Sequence, residues 1–158
     1  MATQEARAVI VTDDRITNAN LLDLTDGGAT TLHSHAGGGG EVYTDRGDPS
    51  AADYTQTTLT ADGTYHDLDL SAIVPAGATR VRLYGQITDD VAGRYIVFRK
   101  NGHSNSYNLL ACQANVANLS EYFQGEVECD TNRVIEYQIT NTTITSIGLT
   151  VIGWWSPA

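Results

Sequence analysis

The chain has 158 residues, nine basic and nineteen acidic, and a formal net charge of −10 at pH 7, which excludes a nucleic-acid or anionic-membrane surface as its business. A hydrophobic fraction of 41% and a charged fraction of 18% describe a folding chain rather than a disordered one, long enough for one ordinary domain and an arm. Fifteen glycines against three prolines and one methionine, together with abundant Thr, Ile, Val and Tyr, favour strands and turns over helices.

Residues 1 to 25 open without an apolar run behind a basic start, and no later run approaches a membrane span, so the expectation is a product made and assembled in a cytosol. Two short apolar pieces, Ala8-Val9-Ile10-Val11 and Ile16 to Leu24, lack a sustained helical period. They read either as an arm that packs on a partner or, for Ala8 to Val11, as an edge strand of the main domain. Asn118-Leu119-Ser120 and Asn141-Thr142-Thr143 match the glycosylation pattern, and without a secretory start both are taken as chance matches.

The next stretch, Asp26 to Glu41, contains Leu32-His33-Ser34-His35 followed by Ala36 and four glycines. In an extended backbone His33 and His35 project to one side and Ser34 to the other. Two imidazoles supply only part of the four to six ligands a transition metal takes. Three copies around a threefold axis would supply six, and the flanking glycines would let three backbones approach that axis. A flexible linker whose histidines bind nothing is the competing reading.

The segment Gly27-Gly28-Ala29-Thr30-Thr31-Leu32-His33-Ser34-His35-Ala36-Gly37-Gly38 resembles the Gly-x-His-x-His repeats of trimeric bacteriophage fibre tips, in which iron is held on the axis. It is also similar to the Thr-Thr-Leu-His-x-His-Ala-Gly segments of phage structural proteins. The resemblance covers roughly a tenth of the chain, and the motif occurs once where fibre tips repeat it. It implies a homotrimeric virion protein on the particle surface, joined through residues 1–46 to a capsid or tail protein, with an iron-like ion at His33 and His35. A second resemblance is to the cupins, whose first motif aligns with Gly27, His33, His35 and Glu41, although Glu41 comes one residue late and Gly47 one early. Their second motif needs a histidine where this chain has Arg80, and a guanidinium binds no metal cation.

Tyr43 to Ser50, with Gly47-Asp48-Pro49 at its centre, reads as a turn-rich boundary between an arm, 1–46, and a β domain, 47–158. Thr55 to Thr60 and Thr64 to Leu70 flank Ala61-Asp62-Gly63 as a hairpin. Ile73 to Ala78 reads as a connection, because Pro75 does not belong in a central strand. Val81, Leu83 and Ile87 alternate with polar residues, and Ile96 and Phe98 do the same before the Lys100-Asn101-Gly102 turn. Tyr107 to Cys112, Val116 to Val127, Val134 to Ile139 and Thr143 to Trp155 complete about eight strands. That spacing predicts an all-β antiparallel sandwich, of jelly-roll type, an architecture that closes into trimers elsewhere and by itself carries no site.

Motifs for a nucleophile elbow, a phosphate loop, a zinc protease or an EF-hand do not occur in the sequence, and no catalysis is expected. Cys112 and Cys129 read as buried thiols, with a disulfide as the alternative should they face one another in a hairpin. His66 and His103 read as surface residues, and Asp62, Asp67 and Asp69 as solvated carboxylates or a calcium site. Trp154 and Trp155 must face opposite ways in one strand, so one of them, with Tyr84, Tyr95, Tyr107, Tyr122 and Tyr137, offers an aromatic surface. Such a surface suits a subunit contact or a glycan, and a host-surface glycan is the ligand it would meet on a virion.

Overall fold

A computed structural model describes residues 40–158, which form one compact unit, Gly40–Ala158, with no helix. Nine strands follow in order: β1 Glu41–Asp45, β2 Tyr54–Thr55, β3 Tyr65–Asp69, β4 Arg80–Thr88, β5 Tyr95–Lys100, β6 Leu110–Gln113, β7 Glu121–Glu128, β8 Val134–Ile139 and β9 Ser146–Pro157. One sheet runs β1-β9-β4-β7, with β2 beside β9 as well, and the other runs β3-β8-β5-β6. All pairings are antiparallel, and β2 meets β9, β3 meets β8, β4 meets β7 and β5 meets β6. The two antiparallel sheets pack face to face as a β-sandwich, and these pairings nest one inside the next.

Strict alternation builds the core. In β4, Val81, Leu83 and Ile87 are fully buried, and in β9 Ile147, Leu149 and Val151 join them, as their spacing predicts. Ile96, Phe98, Ile135 and Ile139 face them from the second sheet, also fully buried. Two glycines make room for larger neighbours: Gly85 lies under the Phe123 ring, which meets Phe98 at 5.7 Å, and Gly125 lies under Leu110.

Four expectations need correcting. Glu41–Asp45, expected in the arm, is paired along β9, so the sheet begins ahead of the Gly47-Asp48-Pro49 turn. The hairpin over 55–70 does not form: β2 joins one sheet and β3 the other. Thr58 and Leu59 donate to the Thr55 carbonyl at 3.0 and 3.1 Å, which ends β2 after two residues and turns Leu59 into the core. The strand expected from Tyr107 starts at Leu110, and the one expected from Val116 starts at Glu121. Asn118 takes a φ of 60° and donates to the Asp89 carbonyl at 2.7 Å, drawing its segment into a connection. Lys100 does end β5, as expected, and Gly102 takes the turn with a φ of 81°.

The strand directions give the sandwich two distinct ends. Gly40, Ala158 and the connections 70–79, 101–109 and 129–133 lie at one end, here the base, while 56–64, 89–94, 114–120 and 140–145 lie at the other. Buried Asp89 ties the far end together, accepting from the Val91 amide at 3.0 Å and the Thr145 amide at 3.2 Å.

Candidate functional site

At the base, the Gly-rich segment joins the sandwich. β1 lies on β9 from Glu41 opposite Pro157 to Asp45 opposite Gly153, and the Ala158 amide donates to the Gly40 carbonyl at 2.9 Å. A bulge in β9 at Ile152, where the register against β4 slips between Arg82 and Leu83, decides which tryptophan faces out. Uninterrupted alternation from Ile147, Leu149 and Val151 would turn Trp155 inward. The bulge reverses the phase, so Trp154 packs against the core opposite Val81 and Trp155 lies on the outer face opposite Arg80.

Trp155 is not left bare. The Tyr43 ring centroid lies 4.7 Å from that of Trp155, and the Arg80 guanidinium sits over the Trp155 ring at 4.6 Å. The Tyr43 hydroxyl donates to the Ile152 carbonyl at 3.2 Å, at the bulge itself. Arg80 also pairs with Glu41 and, at 3.1 Å, with Glu126. Next to β1, Arg46 pairs with Asp53 and donates to the Val151 carbonyl at 2.9 Å. The exposed pairs contribute little each, about 0–1 kcal/mol, but Glu41 and Arg46 together tie the entering segment to β4 and β9.

A cleft of about 700 Å³ opens beside this cluster, lined by Glu41, Thr79, Arg80, Lys100, Glu128 and Asp130 among others. Its charges are already matched. Lys100 lies 3.0 Å from Glu128 and holds that carboxyl below the usual carboxylate range. Asp130 is held low by the Val134 amide, and it also accepts from Asn101 at 3.0 Å. Carboxylates held this way are poor general bases.

His33, His35 and Gly27 lie outside the described residues. Glu41, the residue the cupin pattern would add to them, accepts from Thr79 and pairs with Arg80. Arg80 occupies the place of the second-motif histidine, so the two positions that pattern would turn on a metal neutralise each other. Among the described residues no three His, Cys, Asp or Glu side chains converge to hold an ion. Asp62 is bonded by His66 at 2.9 Å and by Thr64, which together pull its carboxyl down to about 2. Asp69 caps the Ser71 amide at 2.8 Å, so it and Asp62 serve local turns. His103 is exposed.

Cys112 and Cys129 are both free and buried, with burial pushing each thiol up. Cys112 lies near the Glu121 carbonyl and Cys129 near that of Ala78, at 3.8 and 3.4 Å. The eight residues of β7 separate those points. At about 3.3 Å per residue the sulfurs are on the order of 25 Å apart, far beyond a disulfide.

The tyrosines disperse. Tyr137 is core, its hydroxyl accepting from the Thr60 amide at 2.8 Å, while Tyr84 and Tyr122 stack at 6.3 Å on the outer face of the larger sheet. What the sequence did not disclose was the Arg80 cluster, since Glu41, Tyr43, Arg80 and Trp155 lie on three strands far apart in the chain and meet only through the pairing of β1 and β4 on β9. No protein-family model matches the chain and no curated protein matches it, so the reading of this base rests on its own residues.

Proposed function

We propose that this chain is a bacteriophage virion structural protein, a homotrimeric capsid decoration, head spike or short fibre protein. Residues ahead of β1 attach it to a capsid or tail protein, and the sandwich is displayed outside the particle. Its work is mechanical and not enzymatic.

The observation that carries this reading is the way β1 enters. The His-x-His segment is joined covalently to β1 at the base, while four connections gather at the opposite end. Force drawing Gly40 away from that far end runs along β1, so the five register pairs with β9 are loaded together in shear. Tyr43, Arg80 and Arg46 add side-chain ties across the same junction.

Three chains would bring six imidazoles of His33 and His35 to a threefold axis, where an iron-like ion would clip them. Light scattering on the full chain should report three copies, and elemental analysis of untagged protein one ion for every three chains. A monomer without metal would overturn both the assembly and the clip. One ion per chain would point instead to the cupin-like metalloenzyme.

A further inference from the structure

The outer face of the smaller sheet carries a groove of about 570 Å³, on the other side of the molecule from the Tyr84–Tyr122 stack, and within the range of about 300–1,000 Å³ of small-ligand sites. Its lining is Tyr65, Tyr95, Gln113, Asn115, Gln138 and Ser106, with aliphatic side chains and Cys112 between them. In a chain with nine basic and nineteen acidic residues, no charged side chain lines it.

We propose that this groove binds a neutral saccharide. Sugar hydroxyls both donate and accept, and they are met best by groups that also do both, the carboxamides of Gln113, Asn115 and Gln138 and the hydroxyl of Ser106. The apolar C–H face of a pyranose is met by an aromatic ring, and Tyr65 and Tyr95 supply two. An anionic ligand would find no cation in the lining, and a purely apolar ligand would leave the carboxamides of Gln113 and Asn115 and the Gln138 Oε1 without a partner from the ligand.

The groove is built rather than merely left over. Gln138 donates its Nε2 to the Gly63 carbonyl, which fixes the side chain and leaves its Oε1 as an acceptor. Arg99 stands 3.4 Å over one side of the Tyr65 ring and is itself pinned by Glu136, so that ring is held in place. The backbone of Tyr95 is tied to Thr140 in both directions, at 2.9 and 3.1 Å.

Binding does not depend on the virion reading, which bears only on where the sugar comes from. The test is saturation-transfer NMR on the full chain with glucose, galactose, mannose, N-acetylglucosamine and their disaccharides, followed by titration of the best binder. Tyr95→Ala and Gln113→Ala should each weaken that binder by about tenfold or more, while Tyr84→Ala, on the other sheet, leaves it unchanged. Gln113 is exposed, so its variant should keep the wild-type melting temperature and separate lost binding from lost folding. The proposal is overturned if no neutral sugar binds, if binding survives both groove variants, if it is lost in Tyr84→Ala, or if only acidic sugars bind. A trimer that binds no sugar would overturn the proposal and leave the virion reading standing.

Discussion

Replacing Tyr43 with alanine tests whether β1 belongs to the cooperative unit. The ring's contact with Trp155 at 4.7 Å contributes about 0.5–1.5 kcal/mol beyond the area it covers. Its hydroxyl bond to the Ile152 carbonyl contributes about 0.5–1.5 kcal/mol more. Tyr43 is half-buried, so the lost apolar contact adds on the order of 1 kcal/mol. Together these predict a loss of about 2–4 kcal/mol, which for a unit of this size lowers the melting temperature by about 10 °C. Tyr43→Phe keeps the ring and should cost about 1 kcal/mol, or about 4 °C. Thermal unfolding followed by circular dichroism on the full chain reads both. If Tyr43→Ala melts within about 2 °C of the wild type, Glu41–Asp45 lies outside the cooperative unit and the reasoning about the base fails.

Gly85→Ala should cost about 1–3 kcal/mol in urea unfolding, because its Cβ would come within 2.6 Å of the Phe123 ring and 2.8 Å of the Gly148 carbonyl, and the carbonyl is held in the sheet; an unchanged midpoint would mean that Phe123 does not lie over Gly85 as described. The Asp62 carboxyl should titrate near 2 by carboxyl-carbon NMR, below the usual value of about 3.9. Because its folded value is depressed, the stabilisation it gives is complete above the ordinary carboxylate range and is lost as pH falls through about 4 to 2. His66→Ala removes the largest cause of that shift and should return the titration toward 4; a midpoint unmoved by that change would show that the His66 bond does not form.

The assignment to a sandwich was legible because alternation with period two is a property of each strand by itself. Val81, Leu83 and Ile87 declare an inner face whatever lies beside them, and Gly102 ends β5 because its backbone takes a positive φ. Local pattern carries no information on partners, however. Thr55 to Leu70 reads as a hairpin, and only packing shows that β2 and β3 belong to different sheets, where Leu59, Leu68 and Leu70 are all buried in the shared core. The tryptophans show the same limit within one strand. Sequence requires that Trp154 and Trp155 face opposite ways, but the bulge at Ile152 sets which one is outside. The base cluster and the groove were hidden for the same reason, since each is assembled from residues far apart in the chain, Glu41 with Arg80 and Trp155 in one, Tyr65 with Tyr95 and Gln138 in the other. Strand periodicity is set residue by residue through side-chain polarity, whereas pairing and phase are set by burying two whole faces at once, and that free energy exists only when the sheets have met.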